Sequence, residues 1–134
     1  MWSKTSKLIL IIPIVIFADQ ISKILVSKTG FDAVCNKGFA FGIAPGFLNG
    51  IISVLVLLLV VYLIRKEKRE GFLLGYLMIV GGGLSNLIDR ITLSCVLDFV
   101  NLKIFPLFNM ADAAIFLGVV IIVFQLLKDL KTNG

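Results

Sequence analysis

The feature that most constrains this chain is a set of four long apolar runs joined by short polar connections. They occupy residues 7–26, 47–64, 71–91 and 109–127. Crossing a hydrocarbon layer of ~30 Å takes about 20 helical residues, so each run is long enough to span a bilayer. The chain has 134 residues, of which 59% are hydrophobic, and this leaves no room for a separate soluble module. We therefore predict one integral membrane domain over residues 1–134 with four transmembrane helices.

The first apolar run resembles a signal peptide because a lysine-containing leader precedes it. No small-x-small cleavage motif follows the run, and it contains Asp19 and Lys23. We interpret it as a retained transmembrane helix, which Pro13 kinks locally.

Basic residues fall in alternate connections between these runs. Lys4 and Lys7 precede the first run, the RKEKRE block at 65–70 separates the second from the third, and Lys128 and Lys131 follow the last. The positive-inside rule then places both termini and the 65–70 block in the cytoplasm. We interpret the net charge of +5 as this topology signal rather than as a nucleic-acid site.

The chain has no histidine, which excludes Ser-His and Cys-His catalysis and histidine metal sites. Acid-base chemistry must then use carboxyl groups, lysine or tyrosine, and we expect neither a metal nor a cofactor. The two cysteines, Cys35 and Cys95, both fall on the predicted outer side. A disulfide is possible there, although our default interpretation is that each cysteine is a small apolar residue.

Four of the eight acidic residues lie within or against the apolar runs: Asp19, Asp89, Asp98 and Asp112. A charge at the bilayer centre costs at least ~2.5 to 3.5 kcal/mol, so such acids usually mark function or a specific structural pair. The predicted topology brings all four to one level near the outer interface.

Two of these acids have a cation close by in sequence. Asp19 is four residues from Lys23, and Asp89 is next to Arg90, so we interpret both acids chiefly as parts of structural ion pairs.

Asp98 and Asp112 have no cation three or four residues away, and apolar side chains surround each. If the two lie close together, desolvation and their mutual repulsion favour one shared proton. One carboxylate could then activate water while the other acts as general acid.

Five motifs in sequence order carry a resemblance to a known family. They are ADQISK at 18–23, NKGFAFG at 36–42, GGGLSNLIDR at 81–90, VLDFV at 96–100 and FNMADAAI at 108–115. Together they resemble the lipoprotein signal peptidases, or signal peptidase II. The resemblance implies an all-α membrane protein of four transmembrane helices with a small β-structured cradle on the extracytoplasmic side. It also implies the bacterial cytoplasmic (inner) membrane as the location, with the active site near the extracytoplasmic face.

The resemblance further implies that the protein cleaves diacylglyceryl-modified prolipoproteins just before the lipidated cysteine. It also implies that membrane lipids surround the protein. It assigns the catalytic pair to Asp98 and Asp112. It implies that four polar residues orient the substrate: Asn36, Asn86, Arg90 and Asn109. It implies that four others support the site: Asp19, Lys23, Asp89 and Gly38.

The NKGFAFG motif fits such a cradle, in which Phe39 and Phe41 supply apolar contacts and Asn36 supplies hydrogen bonds that bind substrate. Two features depart from the family pattern. Ser85 replaces a glycine of the third motif, and the outer segment between Asp98 and Asn109 is short. These departures affect helix packing and substrate enclosure rather than the reacting groups.

Two other classes of protein remain possible from the residues alone. Paired membrane acids also serve as proton relays, so a small proton-coupled transporter is the main alternative. A purely structural scaffold is the second alternative. An intramembrane protease of the GxGD type is disfavoured because the chain contains no GxGD string.

Overall fold

The computed structural model describes residues 7–38 and 46–133. In this part of the chain the elements are helix α1 (Ile11–Thr29), strand β1 (Val34–Asn36), helix α2 (Gly46–Lys66), helix α3 (Glu70–Leu93), strand β2 (Val96–Asp98) and helix α4 (Met110–Asn133). The protein is therefore mostly helical with a small β structure, as the sequence predicts. Phe39 and Phe41 of the predicted cradle lie outside the described residues.

Helix α1 begins at Ile11 rather than at residue 7, and the reason is Pro13. Proline has no N–H to donate to the Ile9 carbonyl, so the normal helical bond is missing there. The Ile9 carbonyl oxygen instead accepts the N–H of Ile12 at 3.2 Å, in a tighter turn. At its other end α1 stops at Gly30, whose φ of 72° is a left-handed conformation that glycine adopts easily.

Helix α3 lies at the centre of the bundle, and three consecutive glycines allow this. Successive helical residues point about 100° apart, so a run of three can face three neighbours. Gly81 faces Val15 of α1, Gly82 faces the Ala111 carbonyl oxygen of α4, and Gly83 faces Leu57 of α2. A Cβ atom on Gly81 would lie 2.9 Å from Cβ of Val15, closer than real Cβ atoms approach. The glycines thus let all three other helices pack closely on α3.

In the described part of the chain, three of the four helices are long and apolar enough to cross a membrane: Phe47–Lys66, Glu70–Leu93 and Met110–Thr132. Helix α1 does not count among these apolar spans, because three charged residues, Asp19, Lys23 and Lys28, lie within its 19 residues. Large apolar side chains cover the outside of the helices, among them Phe17 and Phe124. This surface is suited to lipid.

Strands β1 and β2 pair antiparallel, with Val34 opposite Asp98 and Asn36 opposite Val96. Cys35 and Cys95 form a disulfide with a Cα–Cα distance of 5.4 Å, within the usual range for this bond. The default interpretation of the cysteines as separate apolar residues is therefore wrong, because the strand pairing brings them together.

Candidate active site

The N-terminus of α4 carries the first candidate carboxyl group. Asn109 precedes the helix, and its Oδ1 accepts the backbone N–H of Asp112 at 2.9 Å. In return Oδ2 of Asp112 accepts the backbone N–H of Asn109 at 3.2 Å. This reciprocal pair is a capping box, which fixes the Asp112 side chain at the start of the helix.

The second candidate carboxyl group, Asp98, ends strand β2 and is 3% exposed. Its Oδ2 accepts the Nδ2 amide of Asn36 from β1 at 3.0 Å. Its Oδ1 accepts the Nδ2 amide of Asn109 at 2.8 Å. Asn109 therefore contacts both Asp98 and Asp112.

Asn86 of α3 links the carboxyl groups to a buried cation. Its Nδ2 donates to Asp112 Oδ1 at 2.8 Å. Its Oδ1 accepts Asn109 Nδ2 at 3.1 Å and Lys23 Nζ at 3.2 Å. These contacts fix the orientation of the Asn86 amide, and they connect Lys23 to Asp112 through Asn86.

Lys23 lies between two carboxylates, at 2.6 Å from Asp19 and 2.7 Å from Asp89. The predicted pair of Asp19 with Lys23 is present. The predicted pair of Asp89 with Arg90 is not, because consecutive helical residues point in different directions. Asp89 turns inward to Lys23, while Arg90 borders a cavity.

Both acids of this buried ion group also hold backbone N–H groups of the site. Asp19 Oδ1 accepts the N–H of Ala111 in the first turn of α4 at 2.8 Å. Asp89 Oδ2 accepts the N–H of Leu97 in β2 at 3.3 Å. The ion group thereby fixes the elements that carry Asp112 and Asp98.

A cavity of about 880 Å³ lies between α2, α3 and α4. At one end it is polar, where five predicted site residues border it: Asn36, Asn86, Arg90, Asp98 and Asp112. Most of the remaining wall is apolar, with Leu57, Ile115 and Phe116 among its residues. Gly38 also borders the cavity, whereas Asn109 is fully buried behind the carboxyl groups.

The electrostatic surroundings of Asp98 favour its protonated form. Burial raises the pKa of Asp98 above its ordinary value, and the charge of Asp112 acts in the same direction. The hydrogen bonds from Asn36 and Asn109 oppose this rise by stabilising the ionised carboxylate. In residues 7–38 and 46–133 no group of three or more His, Cys, Asp or Glu side chains is arranged to hold a metal ion.

Sequence reasoning assigned no contact to three polar residues that lie in or beside this network. Ser85 donates its hydroxyl to Asp19 Oδ2 at 2.6 Å, so the departure from glycine adds a hydrogen bond. Gln20 donates to Asp89 Oδ1 at 2.8 Å. Asn49 of α2 donates to the Lys37 carbonyl oxygen at 3.1 Å. The sequence signal that could have identified them is an amide or hydroxyl side chain inside an otherwise apolar helix.

Fold and site together define a helical membrane protein with two carboxyl groups at the polar end of one apolar cavity. The signal peptidase (SPase) II family matches residues 11–128. The lipoprotein signal peptidase of Caldicellulosiruptor bescii is 35% identical, over 84% of this chain and 77% of that protein. That of Halothermothrix orenii is 32% identical, over 92% of this chain and 97% of its own length.

A solved bacterial membrane enzyme has a similar structure, with a TM-score of 0.85 and 29% identity over 96% of this chain and 92% of its own. A second one gives a TM-score of 0.80 at 30% identity, over 92% of this chain and 94% of its own. The chain belongs to the signal peptidase II family. It is therefore a peptidase of the bacterial membrane.

Proposed function

We propose that this chain is an aspartic endopeptidase that removes the signal peptide from diacylglyceryl-modified prolipoproteins, cutting just before the lipidated cysteine. The observation that carries the proposal is the contact of Asn109 with both Asp98 and Asp112 at the polar end of the cavity. Asn109 binds the Asp98 carboxyl group with its side-chain amide and the Asp112 carboxyl group with its backbone N–H. Two carboxyl groups held by one residue can share a proton, and such a pair supports peptide hydrolysis by water.

In this mechanism we assign the proton to Asp98 and the negative charge to Asp112 before the reaction, because Asp112 lies in the N-terminal cap of α4, where the helix dipole favours an anion. Asp112 takes a proton from water as the water attacks the scissile carbonyl, and Asp98 gives its proton to the carbonyl oxygen. When the tetrahedral intermediate collapses, Asp112 gives its proton to the departing amine. Asp98 regains a proton from the hydroxyl group, and the starting state is restored.

The cavity supplies the rest of the proposed substrate site. Its apolar wall suits the hydrophobic stretch of a signal peptide, and Arg90 suits a carbonyl or other polar group near the cut. Among the described residues no carboxylate lies within 4.0 Å of the Arg90 guanidinium group in an ion pair, so its donors remain available to substrate. Asn36 and Asn86 border the cavity beside the carboxyl groups.

Asn109 has a different role from the substrate contact that the family resemblance implies. It is fully buried and does not border the cavity, so we assign it to positioning the two carboxyl groups. Asp19, Lys23 and Asp89 support the site by holding the first turn of α4 and strand β2.

The proposed topology has four membrane spans, with both termini in the cytoplasm and the site near the extracytoplasmic face. Asp19 and Lys23 of α1 neutralise each other inside the bundle, which lowers the cost of placing this helix in lipid. The opposite end of the bundle carries the ion pair of Arg69 with Asp129, at 2.6 Å. The basic residues that favour the cytoplasm lie at that end.

Cleavage of a lipidated precursor by the purified protein in detergent tests the proposal. We expect cleavage before the lipidated cysteine, with no ion gradient present, and little cleavage of the same precursor without its diacylglyceryl group. Comparable cleavage of the unmodified precursor would contradict the substrate assignment. A protein that moves protons but leaves the precursor intact would be a transporter.

A further inference from the structure

We propose that the Cys35–Cys95 disulfide is a positioning device of the active site, which holds Asn36 against Asp98 and makes cleavage depend on the oxidation state of the two cysteines. This inference rests on the proposed function, since it requires Asp98 to take part in the reaction.

The disulfide joins the two strands directly beside the contact in question. Cys35 immediately precedes Asn36 in β1, and Cys95 immediately precedes β2, which ends at Asp98. The bond therefore limits how far Asn36 can move away from the strand that carries its carboxylate partner.

The two strands are not held equally well by other contacts. Strand β2 is largely buried, and its Leu97 N–H is bound by Asp89 of α3. Strand β1 has only three residues, of which Val34 and Cys35 are exposed. Short two-stranded pairs are marginal in stability by themselves, so β1 gains most from a covalent link.

Beyond the disulfide, hydrogen bonds on the other side of Asn36 hold this segment. Asn36 Oδ1 accepts the N–H of Gly38 at 2.9 Å, which orients the Asn36 amide toward Asp98. Asn49 of α2 donates to the carbonyl oxygen of Lys37 at 3.1 Å. On the Cys35 side, a disulfide holds the segment that carries Asn36. On the Gly38 side, only hydrogen bonds hold it.

Reduction should loosen β1 while leaving the helix bundle intact. A dithiol reductant gives two electrons and two protons to the disulfide, which becomes two thiols while the dithiol becomes a disulfide. The close packing of α1, α2 and α4 on the glycines of α3 does not involve this bond. The expected loss is the Asn36 hydrogen bond, so Asp98 would keep only the amide of Asn109.

The experiment compares cleavage of a lipidated precursor by the oxidised protein, by the protein treated with dithiothreitol, and by the reoxidised protein. The chain contains only two cysteines, so the reductant has a single target. Losing one hydrogen bond that positions the neutral Asp98 carboxyl group corresponds to a fall of several-fold, up to about tenfold, in kcat at the pH optimum. We expect that fall with KM unchanged, an unchanged helical circular-dichroism signal, and full recovery on reoxidation.

Two variants separate positioning from a general effect on the fold. The double variant Cys35→Ser/Cys95→Ser should cleave at the rate of the reduced wild-type protein. Its cleavage rate should not change when dithiothreitol is added. Oxidised Asn36→Ala should already cleave slowly, and reduction should slow it little further, because the contact that the disulfide positions is already absent.

Three results would overturn the inference. They are a full cleavage rate in the reduced wild-type protein, an equal loss on reduction in wild type and Asn36→Ala, and a rise in KM with kcat unchanged. A complete absence of cleavage by the oxidised wild-type protein is a different result, because it would overturn the proposed function and the inference with it.

Discussion

Asn109 and Asp112 cap the first turn of α4 reciprocally, each accepting the backbone N–H of the other, at 2.9 Å and 3.2 Å. The same Asn109 donates its side-chain amide to Asp98 at 2.8 Å. One asparagine therefore joins the start of a membrane helix to both candidate catalytic carboxyl groups. Substitutions at this position can separate the stability of the helix from the chemistry of the site.

We predict that Asn109→Ala lowers both stability and cleavage, since it removes the cap and the donor to Asp98. Loss of a helix cap costs about 1 kcal/mol. Asn109→Ser keeps an oxygen that can cap the helix but has no amide to reach Asp98. Its thermal unfolding midpoint should exceed that of Asn109→Ala, while its cleavage rate stays equally low. Recovery of cleavage in Asn109→Ser would show that the amide is dispensable.

Lys23 is a buried cation beside the site and lies between Asp19 and Asp89. Lys23→Met leaves these two carboxylates without their partner, at a cost of about 3 to 5 kcal/mol. Thermal unfolding in detergent should show a large fall in the midpoint. The matched control is Asp129→Asn, which breaks the exposed ion pair with Arg69 and should change the midpoint little. Equal effects of the two variants would refute a structural role for Lys23.

Gly82 sets the distance between α3 and the start of α4, because a Cβ atom there would collide with the Ala111 carbonyl oxygen. Gly82→Ala should push the first turn of α4 away from α3, lowering the unfolding midpoint and the cleavage rate together. Gly50→Ala serves as the control, since no atom of residues 7–38 or 46–133 lies within 4 Å of a Cβ atom at that helical position. Gly50→Ala should retain full cleavage. A fully active Gly82→Ala variant would show that cleavage does not depend on the position of the first turn of α4.

Much of the fold could be predicted from the apolar runs, because about 20 consecutive apolar residues are enough to indicate a membrane-spanning helix. The end of α1 was missed because Gly30 rather than the hydropathy pattern stops that helix. The partner of Asp89 was also missed. Arg90 is its neighbour in sequence, but the buried Lys23 is its partner in space.

The disulfide and the strand register could not be derived from the sequence, because they depend on how β1 meets β2 across a separation of 60 residues. The two candidate carboxyl groups were identified from their apolar surroundings, and the structure places both on one cavity. The polar residues Ser85 and Gln20 gave a weaker signal, since a hydroxyl or amide in a membrane helix often only joins helices.

The pH dependence of cleavage should report the protonation of Asp98. Its pKa is raised by burial, so its protonated form persists to higher pH than that of an ordinary aspartate. The cleavage rate that needs this proton is highest below the raised pKa of Asp98, at pH values where Asp112 is still ionised, and it falls as pH rises through the Asp98 pKa. Asn36→Ala removes a hydrogen bond that lowers the pKa, so the alkaline limb of kcat/KM should move to higher pH. A shift to lower pH, or none, would contradict this assignment.

We propose that Asp98 and Asp112 act as one catalytic unit. Asparagine keeps the size and part of the hydrogen bonding of each side chain but removes the titrating carboxyl group. Asp98→Asn and Asp112→Asn should therefore insert and fold, and each should lose nearly all cleavage. Asp19→Asn should instead lower stability and leave some turnover, because Asp19 holds the backbone of α4 and not the reacting atoms.

The most direct test is cleavage of a lipidated precursor by purified, demonstrably folded Asp98→Asn, Asp112→Asn and double-variant proteins. Residues that act as a unit are strongly non-additive, so the double variant should be little worse than either single variant. We expect near-complete loss of cleavage in all three variants. Substantial cleavage by either folded single variant would contradict the proposed catalytic unit.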